Sequence, residues 1–195
     1  MQQLSLDYGA ILAAVDRPLN AASIGAALLR ALGDRYVAEH PHGSALHEFE
    51  QSGATYLFDL ASSADLPQED RTVAAWALTP AVVHRRDASY QRGFPMAAGT
   101  HDAPVDRGHV VPHLSGGEFG PNIVRQDRAL NRGWSEQGKR YRALEREAAA
   151  TPGTLYVVHL MYVDDSAYPS ELETGVLRGG EHLYMERFDN RPTCR

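Results

Sequence analysis

Apolar positions recur at helical spacing early in the chain. Ile24, Leu28 and Leu32 fall on one face, which predicts a helix over 21–32 with Asn20 as N-cap and Gly33 as a stop. The proline and glycine in 40–44 predict a loop, and the apolar, aromatic run 54–60 predicts a strand. Residues 74–83 read as a second strand, confined by Pro80 to an edge or a bulge. Gly, Pro, Asp and Ala crowd 87–104, which suggests a long surface loop, and a brief apolar-flanked segment follows at 105–111. Residues 114–120 are glycine-rich and turn-like. The strongest helical pattern covers 131–150 and is closed by Pro152 and Gly153. The β-branched, aromatic stretch 154–163 predicts a strand, and 174–178 with 182–188 predict a hairpin around Gly179 and Gly180. Helices, strands, loop, helix and strands in that order describe an α+β chain, not an alternating βαβ one.

With 195 residues, 43% of them hydrophobic, the chain is long enough to bury a core without staples. The divisions expected are a mostly helical N-terminal extension or cap over 1–75 and a second unit over 76–195. No run approaches the roughly 18 consecutive apolar residues of a membrane helix. The first basic residue is Arg17, so no Sec-type signal is expected. The lone Cys194 excludes an intrachain disulfide and fits a reducing cytosol.

The net charge of −6 is the wrong sign for a protein that simply coats nucleic acid. Its distribution changes that picture. Residues 1–75 carry 4 basic and 10 acidic side chains, whereas 121–150 carry 7 basic and 4 acidic. A local basic face can meet phosphates while the remainder repels them, although a solvated helix face has the same composition.

Phosphodiester hydrolysis needs a base for water near neutral pH, and histidine suits that task. A divalent cation can neutralise the phosphate and the leaving 3′ oxygen, and magnesium can be held by a single amide oxygen among waters. The chain offers Asp106-Arg107-Gly108-His109, then Pro112, a glycine turn, Asn122-Ile123, Gln126, Leu130-Asn131 and Gly133-Trp134. This D-R-G-H block, with N-I-x-x-Q-x-x-x-L-N-x-G downstream, resembles the DNA/RNA non-specific endonuclease family, the ββα-metal or His-Me finger nucleases. The stretch from Asn131 to Glu145, with a Pro-Gly and a strand after it, resembles a bacterial toxin-like branch. The likeness covers about residues 100–190.

The resemblance implies a ββα-metal core with a mixed or antiparallel sheet, behind an N-terminal helical segment. It implies His109 as general base and Asn131 as ligand of Mg2+, with Mn2+ an alternative. Asp106 and Arg107 would support them, and Asn122 would tie down the loop before the helix. Arg125, Arg132 and Lys139 are further candidates for substrate contact, as is one upstream arginine among Arg85, Arg86 and Arg92, with Arg86 taken first. The family's metal-orienting glutamate sits about eight positions after the asparagine, where this chain has Lys139. The local match is Glu145, yet fourteen residues of continuous helix would place it about 21 Å from Asn131. Either the helix begins later with Asn131 on a preceding turn, or Glu136 takes the role, or Glu145 is structural.

Other residues are read more plainly. His109 and His113 have the spacing of a zinc pair, but no second cluster completes it. His113 lines the cleft or packs beneath it, and His40, His42 and His47 are taken as surface residues. Trp134, Tyr141 and Leu144 read as a packing face. The function expected is a sequence-non-specific nuclease acting on DNA, RNA or both. The toxin-like branch adds an immunity protein as partner and export without a Sec signal as an alternative to a cytoplasmic location. The competing reading is a catalytically idle module on the same fold that binds nucleic acid or a partner.

Overall fold

A computed structural model describes residues 6–16, 19–82 and 104–191. Its frame is an antiparallel sheet of six strands. These are β1 (Leu46–Gln51), β2 (Ala54–Asp59), β3 (Arg71–Leu78), β6 (Leu155–Met161), β7 (Glu171–Arg178) and β8 (His182–Asp189), in the spatial order β1-β2-β3-β6-β7-β8. Between β3 and β6 the chain leaves the sheet to form a separate antiparallel pair, β4 (Val105–His109) and β5 (Ile123–Asp127). Among the described residues four α-helices accompany the strands: α1 (Tyr8–Ala13), α2 (Ala21–Glu39), α3 (Arg128–Asn131) and α4 (Glu136–Ala149). The α+β class is as expected. Among the described residues no helix is long and apolar enough to cross a membrane.

The sheet is buried on both faces because its strands alternate between two apolar clusters. Leu57, Val73, Leu155 and Val157 face α2, where they meet Ile24, Leu28, Leu29 and Leu32. Each such side chain, taken wholly out of water, contributes about 1.5–3 kcal/mol. Tyr56, Ala75, Tyr156, Val158 and Leu160 face the other way, onto Val110, Val111, Leu130 and the Tyr141, Leu144 and Ala148 stripe of α4. The site-bearing segment is thereby clamped to the second face.

Asn20 caps α2 as expected, its Oδ1 accepting from the Ala22 and Ser23 amides at 2.9 and 3.2 Å. The stop expected at Gly33 is overturned. The buried stripe continues to Tyr36, and Gly33 sits inside the helix where an added Cβ would lie 3.1 Å from Leu57. Pro80 likewise lies beyond the end of β3, which is a central strand paired on both sides. Strand β1 was not foreseen; its polar side chains stand at the sheet edge, where water is available to them. The division expected after residue 75 falls inside β3, and residues 46–78 supply β1, β2 and β3 of the main sheet beside α1 and α2. The hairpin around Gly179 and Gly180 is present, both glycines at positive φ.

The single helix expected over 131–150 is two. Gly133, at φ +71°, turns the chain after α3. The amides of Trp134 and Ser135 both donate to the Ala129 carbonyl, at 2.8 and 3.4 Å, and Ser135 then caps α4 through the Gly138 amide at 3.0 Å.

Candidate active site

Strand β4 carries the D-R-G-H block, and its side chains are placed by what lies opposite. Gly108 is required by close approach: a Cβ there would stand 2.6 Å from the Cβ of buried Gln126 on β5. After His109 the pairing is continued by a side chain. Asn122 is fully buried; its Oδ1 accepts from the Val111 amide at 2.7 Å. Its Nδ2 donates to the Val111 and Glu118 carbonyls at 3.0 and 2.7 Å. Asn122, a candidate for substrate contact as well as for tying the loop, is held here by the loop itself through Val111 and Glu118. Past β5, Asp127 caps α3 through the Leu130 amide at 2.8 Å. Buried Asn190, just after β8, accepts from the Asp127 amide at 2.8 Å and donates to the Arg125 and Pro169 carbonyls. The small β4–β5 pair is thus fixed to the edge of the main sheet.

Asp106 joins β4 to α3. It accepts from Arg128 Nε at 3.0 Å, from Arg132 through Nε at 2.6 Å and a terminal nitrogen at 3.1 Å, and from Asn131 Nδ2 at 3.3 Å. Burial pushes its carboxyl upward, but the hydrogen bonds from Arg132, Arg128 and Asn131 outweigh that and hold it below the ordinary aspartate value. An ionised carboxylate only accepts, so the amide of Asn131 must present nitrogen to Asp106, leaving its carbonyl oxygen for the cleft.

That cleft, of about 400 Å³, is lined by His109, Asn131 and Glu145 together with Arg107, Arg132, Arg142 and Arg146. Pro112, His113 and Leu114 complete its wall. His109 stands beside Phe119, ring centroids 6.2 Å apart and tilted by 54°. Glu145 is 9% exposed and pairs with Arg142 at 3.0 Å. The break between α3 and α4 resolves the 21 Å difficulty: Asn131 lies on its own short helix, and Glu145 shares its cleft one helix later.

The remaining expected residues fall elsewhere. Glu136 is solvent-exposed in the first turn of α4 and paired with Lys139 at 2.5 Å, and neither lines the cleft. Arg125 is buried, with its guanidinium 4.9 Å from the Tyr168 ring, and borders a different pocket beside Arg71 and Phe58. Arg85, Arg86 and Arg92 lie outside the described residues, as does the loop expected at 87–104 apart from Pro104. Arg142 and Arg146 were missed, although their spacing around Glu145 puts the three on one helical face, a pattern open to reading.

Two other expectations are corrected. Trp134 does not share the packing face of Tyr141 and Leu144; it precedes α4 and is 56% exposed. His40 is not a free surface residue. It stacks on Tyr36 at 3.8 Å, its Nδ1 meets the Tyr36 carbonyl at 2.7 Å, and its Nε2 accepts from buried Arg71 at 2.8 Å.

Neutral and anionic oxygen donors, Asn131 and Glu145, beside two histidines and four arginines fit a hard divalent cation that shares its coordination with water and a phosphate. Among the described residues no three His, Cys, Asp or Glu side chains gather into a closed metal-holding group. No family model matches the chain, and no curated protein matches it either.

Proposed function

We propose that the chain is a nuclease that hydrolyses phosphodiester bonds of DNA, RNA or both with the help of magnesium, on a ββα-metal unit made by β4, β5 and the α3–α4 pair. One observation carries the reading: His109 and Asn131, far apart in sequence and on different elements, line one arginine-rich cleft, with the Asn131 amide turned by Asp106 to offer its oxygen. Arg107, Arg132, Arg142 and Arg146 draw the backbone phosphates into the cleft, which reads no base sequence. His109 accepts a proton from the water that attacks phosphorus. The new P–O bond forms as the bond to the 3′ oxygen breaks, leaving a 5′ phosphate and a 3′ hydroxyl that takes its proton from solvent. Asn131 would hold the ion, with Glu145 orienting water around it. Bound magnesium supplies charge neutralisation at the phosphate and the departing 3′ oxygen.

The toxin-like likeness of 131–145 further supports an antagonistic role, with an immunity protein guarding the producing cell. The test is incubation of purified protein with plasmid DNA and with RNA, in magnesium or in EDTA, alongside His109→Ala. Magnesium-dependent cleavage that the variant loses supports the nuclease. Tight binding without cleavage in any divalent metal points to the idle binding module instead.

A further inference from the structure

Trp134 is 56% exposed and lies against Arg132, a residue of the cleft wall, where burial would be the default for so large an apolar side chain. It is held there by construction. Its amide is tied to Ala129, Gly133 sets the turn before it, and Ser135 caps the helix after it. One side of the ring meets the Arg132 guanidinium, 5.0 Å from the centroid. Arg132 is in turn locked onto Asp106 by two hydrogen bonds and lines the cleft. The ring is therefore backed by a cation and still more than half exposed, next to a cleft lined by four arginines.

We propose that Trp134 is a stacking platform for an unpaired nucleobase, and that it makes single-stranded nucleic acid the preferred substrate. The proposal rests on the nuclease reading and names its substrate class. A strand whose phosphates follow Arg107, Arg142 and Arg146 turns its bases outward, and an exposed indole accepts any base by its π-face. In a duplex the same faces are already stacked on their neighbours, so the platform has nothing to receive. Arg132, paired with Asp106 and lying against the indole, steadies the ring while its charge still adds to the pull on phosphate at the cleft.

The test is binding in EDTA, by fluorescence anisotropy, of an oligothymidylate of about 12 nucleotides and a duplex of equal length. Trp134→Ala weakens the single strand by about 5- to 150-fold and at least about fivefold more than the duplex, while Trp134→Tyr recovers most of the loss. In the wild type, the oligothymidylate also quenches indole emission; in Trp134→Ala the remaining Trp76, packed against α2, stays unquenched. Wild-type binding of both strands with Trp134→Ala affecting them equally, or neither, overturns the platform alone. Failure of the wild type to bind either strand overturns the nuclease reading with it. Matching thermal melts of the variants exclude misfolding, as the ring is exposed.

Discussion

Asn131 Nδ2 donates to Asp106 Oδ2 at 3.3 Å, so the first residue of the D-R-G-H block sets which atom of the distant asparagine faces the cleft. Asp106→Ala removes that direction and releases Arg128 and Arg132 together. Activity is expected to fall by about 10- to 100-fold, with a rise in the magnesium concentration needed for half-maximal rate. Asp106→Asn keeps an acceptor oxygen and loses less. A magnesium titration of the rate checks this, and an unchanged metal requirement in Asp106→Ala would show that Asn131 is oriented by something else.

The same contact gives a pH dependence. The Asp106 carboxyl is held low in the folded chain, so its contribution to stability is complete above the unfolded aspartate value, about 3.9. As pH falls below that, the unfolded state takes up the proton first and the contribution is lost. Melting temperatures of wild type and Asp106→Asn should differ by a constant amount from neutral pH to about 4 and converge below it.

Glu145 and Glu136 separate cleanly. Glu145→Gln should lower activity by about 100-fold, since it removes the carboxylate that shares the cleft with His109 and Asn131. Glu136→Gln breaks only an exposed pair with Lys139 and should change the rate by less than about threefold. Single-turnover cleavage of a labelled oligonucleotide distinguishes them, and comparable losses would mean that Glu136 reaches the substrate.

Why the site was more legible than its scaffold follows from the residues themselves. His109, Asn131 and Glu145 are chemically distinctive, and their order along the chain survives whatever joins them. Strand β5 hides because Arg125, Gln126 and Asp127 are all buried polar residues, so the strand shows no apolar alternation. Part of its backbone is held by Asn190, more than 60 positions away, which no local pattern announces. The helix expected at 131 failed on one dihedral: Gly133 at positive φ breaks it, whereas Gly33 keeps helical geometry and does not. That same break moved Trp134 off the buried face and brought Glu145 into reach of the cleft.

Gly108→Ala tests the packing beneath the block. The added methyl group meets the Gln126 side chain, which is enclosed and cannot swing into water. Overpacking of this kind costs about 1–3 kcal/mol, read as a lower urea midpoint with an unchanged slope. Gln126→Ala in the Gly108→Ala background should recover part of it, because the space the methyl needs is then open. A double variant no more stable than the single one would place the strain elsewhere.

His159 should make the fold sensitive to mild acid independently of the cleft. It lies on β6, under α2 and α1, wholly buried, with Nδ1 3.7 Å from Glu173 Oε2, beyond hydrogen-bond range. Burial lowers its pKa, and the attraction of Glu173 only partly offsets this. Glu173 is engaged by Tyr8, whose hydroxyl donates to it at 2.5 Å, and by Arg187 at 3.9 Å, while Arg35 and Glu39 of α2 add opposing charges nearby. A depressed histidine pKa means that the unfolded chain binds the proton first as pH drops below about 6.5. Stability therefore declines from that point until His159 itself titrates, and it is unaffected at higher pH. His159→Gln cannot take up a proton in either state, so its melting temperature should lack this acid slope while sharing the later loss that Asp106 brings. Melting curves collected every half unit from pH 7.5 to 4.5 decide it: parallel profiles for wild type and variant would show that the buried ring does not couple folding to pH.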